Sequence, residues 1–188
     1  MKNIYLIGGG GHCKSCIDVI EETKEFKICG IFDVKEKIGQ EILGYKIIAE
    51  DSEIKNFNKD DNFFLITAGQ IKDPSLRVKL FGLDLNFATI ISPRAHVSKH
   101  ATVGAGTIVM HDALVNAGAN IGQNCIINSK ALIEHDAIVG DHCHISTGAI
   151  INGDCVVGEK SFIGSNTVLK NQAKVEANSV IPYGVKYE

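Results

Sequence analysis

Every sixth residue from Ile91 to Ile181 is aliphatic. Ile91, Val97, Val103, Val109, Val115, Ile121, Ile127, Ile133, Val139, Ile145, Ile151, Val157, Ile163, Leu169, Val175 and Ile181 follow one another without an insertion, and only Leu169 is not β-branched. An α-helix repeats about every 3.6 residues and cannot hold such a stripe. A six-residue period is the signature of a parallel β-helix. Short β-branched segments make its strands, and the Gly, Asn and Asp residues of many hexads make its corners. One hexad cannot bury its aliphatic residue alone. Three hexads, about eighteen residues, close one triangular coil. Ile91, Val109, Ile127, Ile145, Ile163 and Ile181 then stack in one column, and successive coils share a narrow core.

Residues 1–90 read differently. Asn3–Ile7 is a short buried strand, followed by Gly8-Gly9-Gly10-Gly11-His12 and a helix to about Glu22. Strand, glycine loop and helix open a nucleotide-binding βαβ unit. Glycines let backbone N–H groups approach a phosphate, and the helix N-terminus favours its charge. The bland reading of the loop is a tight turn that packs helix on strand. The dinucleotide fingerprint is incomplete, since Cys13 stands at its third position. The next strand, Lys27–Phe32, ends at Asp33, where an acidic residue commonly holds a ribose or a base edge. Gly44–Ala49 reads as a strand, Asp51–Asn56 as a helical turn and Asn62–Ala68 as a strand ending at Gly69. Asp73-Pro74 starts a helix that runs to about Phe81. Asn86–Ile91 is a last strand, and Ser92-Pro93 leads into the repeat. The expected architecture is α/β plus all-β: a small Rossmann-like domain with a parallel sheet over 1–90, then a hexapeptide-repeat β-helix over 91–188.

Composition narrows the function classes. The chain has 188 residues, a net charge of −3 and no basic block, which argues against nucleic acid as a main partner. Its 6% aromatic content and absence of Trp suit a thin solenoid core. No apolar run approaches a membrane span, and Met1–Ile7 is too short for a signal segment, so the expected residence is cytoplasmic. The six cysteines, at 13, 16, 29, 125, 143 and 155, show no disulfide framework. Cys13 and Cys16 read as small residues on the first turn of a helix, and no metal site is expected.

The glycine loop, Asp33, the hexads, and Ile133-Glu134-His135-Asp136 followed by Gly140 and His144 together resemble the sugar O-acyltransferase family. That family includes sialic acid O-acetyltransferases and the bacterial N-acetyltransferases acting on UDP-4-amino sugars. The resemblance covers the whole chain. It implies a left-handed β-helix, a homotrimer and acetyl-CoA as donor, although the usual crossover rule would favour the other hand. It also implies that the N-terminal domain binds a nucleotide sugar. The donor would lie between neighbouring subunits, with His135 where the two substrates meet.

Acetyl transfer needs positioning and the removal of one proton, because the thioester is already activated. An imidazole of near-neutral pKa suits that step, and a carboxylate beside it can fix its tautomer. His135 is therefore the expected base and Asp136 its partner, with Glu134 the other candidate. An exposed surface histidine is the rival reading of His135. The resemblance places the donor near His144, Gly153 and Asn128. Candidates for the acceptor site are Gly10, Gly11, His12, Asp33 and Gly69. His96, His100, His111 and His142 read as surface residues. Three functions follow: N-acetylation of a UDP-4-amino sugar in bacterial glycan synthesis, O-acetylation of a sialic-acid-like sugar, or a non-catalytic scaffold. The last has no need of the His135–Asp136 pair.

Overall fold

The structure of the chain, a computed structural model, describes residues 1–57 and 61–188. The N-terminal part runs β1 (Lys2–Ile7), α1 (Gly11–Thr23), β2 (Phe26–Asp33), β3 (Glu41–Ile42), β4 (Tyr45–Glu50), β5 (Asn62–Ile66) and α2 (Ser75–Phe81), with a 3-10 turn at Asp51–Asn56. The sheet order is β3-β4-β2-β1-β5. Ile4, at the centre, stands opposite Ile28 on β2 and Phe63 on β5, both parallel neighbours. A wholly parallel sheet is corrected at one edge: β3 pairs antiparallel with β4. Leu43 and Gly44 make the turn between them, with φ of 49° and 85°. Both central residues of a tight hairpin turn need positive φ, and Leu is not a residue that advertises it. The expected strand Asn86–Ile91 is also corrected. Phe87 forms a single bridge to Phe64, while Ile90–Ile91 already pairs with Ile108–Val109 in the first coil.

The β-helix is three parallel sheets of two-residue strands. The first holds Ile90–Ile91, Ile108–Val109, Ile126–Ile127, His144–Ile145, Phe162–Ile163 and Val180–Ile181. The second runs from His96–Val97 through Leu132–Ile133 to Lys186–Tyr187, and the third from Thr102–Val103 through Ile138–Val139 to Lys174–Val175. The sixth-residue anchors point inward, as the periodicity requires. Val109, Val115, Ile127, Ile133, Ile145, Ile151, Ile163 and Leu169 are wholly buried. Each such side chain contributes ~1.5–3 kcal/mol by leaving water.

A second interior column comes from the residue two before each anchor. Ala113, Ala119, Cys125, Ala131, Ala137, Cys143, Ala149 and Cys155 join the same core. Where this residue is polar it hydrogen-bonds the next coil. Thr107 Oγ1 donates to the Gly122 carbonyl at 2.8 Å, Cys125 Sγ to Gly140 at 3.2 Å, Cys143 Sγ to Gly158 at 3.2 Å and Ser161 Oγ to Glu176 at 3.1 Å. Cys155 Sγ likewise donates to the Lys170 carbonyl at 2.9 Å, so three of the six cysteines are rungs of a ladder inside the coil.

The N-terminal domain packs its helix α1 on the first sheet. Cys13, Cys16, Ile17 and Ile20 share one core with Ile90, Ile108, Met110 and Ile126. Ile108 and Ile126 point outward from the coil and are nonetheless fully buried. Two histidines expected at the surface lie in this seam. His111 Nε2 is 2.9 Å from Asp18 Oδ2 on α1, and its Nδ1 is 2.7 Å from Ser92 Oγ. His142 Nδ1 accepts from Asn124 Nδ2 at 2.9 Å, its ring edge-on to Phe81 at 5.6 Å. The cause is the docked domain, which a hexad pattern does not announce.

Candidate active site

His135 and Asp136 form the corner between the strands Leu132–Ile133 and Ile138–Val139. Asp136 adopts the left-handed conformation that closes the corner, with φ of 58°. Its Oδ2 lies 2.9 Å from His135 Nδ1. A carboxylate only accepts, so Nδ1 bears the proton and Nε2 keeps its lone pair. Hydrogen bonding to Asp136 raises the His135 pKa above its ordinary value. The slight burial opposes this, and the charges of Asp136, Asp154 and Glu134 add to it. Glu134, the other candidate partner, is engaged elsewhere: its Oε2 accepts from Asn116 Nδ2 at 2.9 Å. More than half of the His135 side chain is exposed.

Two glycines make room for this pair. Gly153 lies one coil on from His135, and a Cβ there would stand 2.8 Å from both Cε1 and Nε2 of the imidazole. Gly118 lies one coil before Asp136, has φ of 77°, and a Cβ there would collide with Asp136 Oδ1. The resemblance points to Gly153 as a donor contact; the geometry gives it clearance of the His135 imidazole as well. Sequence reasoning missed Gly118. Its signal was present, a glycine one coil away from the acid of the pair.

The glycine loop divides into two halves. Gly8 (φ 103°) and Gly9 are structural: a Cβ on Gly8 would stand 2.7 Å from Ala68 N, and one on Gly9 would stand 2.8 Å from Asp33 Oδ2. Around Gly10 and Gly11 nothing lies within 4 Å of a Cβ, and the N-terminus of α1 has no side-chain cap. Open space in front of unsatisfied N–H groups suits an anion. Asp33 is placed otherwise than expected for a ribose ligand. Its Oδ2 accepts from Gly9 N–H at 2.7 Å and Lys37 Nζ at 2.9 Å, and its Oδ1 from Val34 N–H at 2.7 Å. Burial alone would raise its pKa. The bonds from Lys37, Val34 and Gly9 outweigh that and hold it below the usual value. Both oxygens are occupied in shaping the loop.

His12 faces Gly69, whose Cβ position is 3.5 Å from His12 Cβ. Burial, then the charges of Arg77 and His144, push the His12 pKa down to about 3, and its Nε2 is buried without a partner. His144 is buried in the same seam. Its Nδ1 meets the Gln70 carbonyl, and its Nε2 is 3.1 Å from Asn128 Nδ2. Burial lowers its pKa to about 4 despite the Gln70 bond, and the Arg77 charge lowers it further. The structure therefore gathers His12, Gly69, His144 and Asn128 on the side of the first sheet, and Gly153 with His135 and Asp136 elsewhere. The corner between the second and third sheets is opposite the first. Cys13 and Cys16 are buried thiols whose pKa burial raises, that of Cys13 to about 11, so they are neutral packing groups. No helix among the described residues is long and apolar enough to cross a membrane.

Residues 3–81 match the PglD N-terminal domain, and residues 118–153 match the bacterial transferase hexapeptide (six repeats). Over 114 residues the chain is 32% identical to the UDP-N-acetylbacillosamine N-acetyltransferase of Bacillus subtilis (strain 168), covering 58% of this chain and 52% of that protein. The chain thus spans about half the length of this curated relative. The acetyltransferase domain of PglB from Neisseria gonorrhoeae FA1090, solved with acetyl coenzyme A, superposes with a TM-score of 0.87 at 24% identity, over 97% of this chain and 94% of that one. PerB from Caulobacter crescentus, solved with CoA and GDP-perosamine, superposes with a TM-score of 0.87 at 25% identity, over 98% and 87%. The chain joins a match to the PglD N-terminal domain with a match to bacterial transferase hexapeptide repeats, and it shares the left-handed β-helix fold of the PglB acetyltransferase domain and PerB.

Proposed function

We propose that this protein transfers the acetyl group of acetyl-CoA to the amino group of a nucleotide-activated sugar, with His135 as general base. The observation that carries the reading is the His135–Asp136 pair: an exposed imidazole with its Nδ1 proton tied to a carboxylate at 2.9 Å and its Nε2 unengaged, in a gap kept by Gly118 and Gly153. As the sugar amine attacks the thioester carbonyl, the new C–N bond forms and the amine loses a proton to Nε2. The C–S bond breaks, and the same proton passes to the departing sulfur. Asp136 orients the ring and stabilises the imidazolium between the two transfers.

The acceptor side rests on the open N-terminus of α1 at Gly10 and Gly11, beside His12 and Gly69. The relatives named for UDP-N-acetylbacillosamine and GDP-perosamine support an amino sugar linked to a nucleoside diphosphate. Within one chain the loop and His135 lie on opposite sides of the coil, so a site using both needs a second copy. This supports the homotrimer, with the loop of one subunit facing His135 of the next. Residence in the cytoplasm, where acetyl-CoA is made, belongs to the same proposal.

Release of the coenzyme A thiol from acetyl-CoA tests it, with a UDP-4-amino-4,6-dideoxy sugar and a sialic acid as separate acceptors. Turnover with the amino sugar alone is expected. Turnover with sialic acid alone would move the activity to O-acetylation, and turnover that survives His135→Ala would remove the assigned base.

A further inference from the structure

Arg77 is a buried cation with no carboxylate partner among the described residues. It is 1% exposed and reaches across the domain seam. One guanidinium nitrogen donates to the carbonyls of Ile66 at 2.8 Å and Ala68 at 2.9 Å, at the end of β5. The other donates to Asn124 Oδ1 at 2.6 Å and to the Asn124 carbonyl at 3.2 Å, on the β-helix. Asn124 returns a bond from Nδ2 to the Arg77 carbonyl at 3.2 Å. All of these acceptors are neutral, and among the described residues no acid pairs with it. A buried charge is ordinarily paired, since desolvation is costly.

We propose that Arg77 is a positioning residue of the acceptor site: a buried cation that fixes the end of β5 against the β-helix and biases the loop in front of it toward an anionic acceptor. Ala68, which accepts from Arg77, is also the residue whose backbone closes on Gly8, so the cation stands directly behind the glycine loop. Burial lowers the Arg77 pKa to about 10, which leaves it charged at neutral pH. The titratable groups that face it are Cys16, Cys125 and the histidines His12, His142 and His144. Burial raises both thiols, Cys125 to about 11; burial lowers the three histidines, and the Arg77 charge itself lowers them further. They carry no balancing charge.

Of the histidines in the seam, His12, His142 and His144 answer to the Arg77 charge. His144 meets a carbonyl through Nδ1 and an amide NH₂ through Nε2, a pattern only the neutral Nδ1–H tautomer satisfies. Protonation would set an N–H against the Asn128 amide and add a second cation beside Arg77. An anion at Gly10 and Gly11 instead supplies the counter-charge that Arg77 lacks. This part of the inference rests on the acceptor reading above and deepens it: the nucleotide's phosphates, more than the sugar, would be what the loop selects.

The test compares two substitutions that leave Arg77 in place. Asn124→Asp supplies a counter-ion on the atom that already accepts from Arg77, while Asn124→Ala removes the side-chain contact and adds no charge; both lose the Nδ2 bond to His142 alike. Imidazole titrations by NMR on the unliganded protein report the histidines, and calorimetric titration with UDP reports the loop. In Asn124→Asp, His12 and His144 are expected to titrate at higher pH than in Asn124→Ala, and UDP affinity is expected to be lower by about tenfold. Identical titrations and identical UDP affinity in the two variants would overturn the proposal and leave Arg77 a packing residue. Failure of UDP to bind the unaltered protein would sink the nucleotide reading itself, and the titrations would still decide the charge of Arg77.

Discussion

His135 Nε2 stands over Gly153, and a methyl group on that glycine would meet it at 2.8 Å. The position carries no left-handed φ, so its need for glycine is one of space. Gly153→Ala is expected to push the imidazole off the Asp136 carboxylate while leaving the interior anchors Ile151 and Val157 untouched. Turnover should fall by about 10²-fold or more, the scale of lost base catalysis, with an unchanged melting temperature. Full activity in this variant would show that the ring tolerates displacement and is not the base.

On the proposed mechanism the Asp136 carboxylate sets the pH at which His135 becomes active as the base. The base form is the neutral imidazole, so kcat/KM rises as pH rises through the His135 pKa. Hydrogen bonding to Asp136 raises that pKa, so the unaltered enzyme should reach half its plateau above the ordinary histidine value of 6.5. Asp136→Asn removes the charge and should move the rise to lower pH while lowering the plateau, since the amide no longer enforces the Nδ1–H tautomer. A pH profile that keeps its midpoint would exclude Asp136 as the partner and return attention to Glu134.

The loop and the base lie on opposite sides of one chain, and this predicts complementation between subunits. Gly10→Trp fills the open space before α1, and His135→Ala removes the base. Each alone should be nearly inactive. Protein refolded from a mixture of the two should regain activity, because some interfaces between copies would pair an intact loop with an intact His135. A mixture no more active than its components would mean that each site is built within a single chain.

The hexads made the coil legible because one aliphatic residue every six positions leaves few other folds. They did not reveal the second interior column, since Ala, Cys, Ser and Thr at that position look like ordinary small residues. Hence nothing in the sequence marked Cys125 and Cys143 as donors to the next coil, beyond the lack of a disulfide framework. The His135–Asp136 contact was legible from adjacency and family likeness. Arg77 and Gln70 were not, because their partners sit on the β-helix and come near only when the domains dock: Gln70 Nε2 reaches the His142 carbonyl at 3.0 Å. The Leu43-Gly44 turn was hidden for a local reason, a leucine at positive φ.

The ladder gives a stability prediction. Ser161 does in its coil what Cys143 does one coil earlier. Cys143→Ser is therefore expected to change the melting temperature little, because the hydroxyl can make the same bond to the Gly158 carbonyl. Cys143→Leu overfills the column and should cost about 1–3 kcal/mol, read from chemical denaturation. Equal losses for the two would mean that sulfur itself, and not the rung, is what the position requires.

Acid should weaken the domain seam before it harms the coil. His12 and His144 titrate near 3 and 4 in the folded chain, below the ordinary value of 6.5. Their folded pKa is depressed, so the unfolded chain takes up protons first. The stability they contribute is whole above pH 6.5, falls as pH drops toward about 4, and changes no further once both states are protonated. The melting temperature of the unaltered protein should therefore decline across that window. His144→Gln keeps a donor and an acceptor and cannot be protonated there, so its decline should be shallower. Parallel curves for the two proteins would mean that His144 is already solvated in the folded state and that the seam is looser than its hydrogen bonds to Gln70 and Asn128 imply.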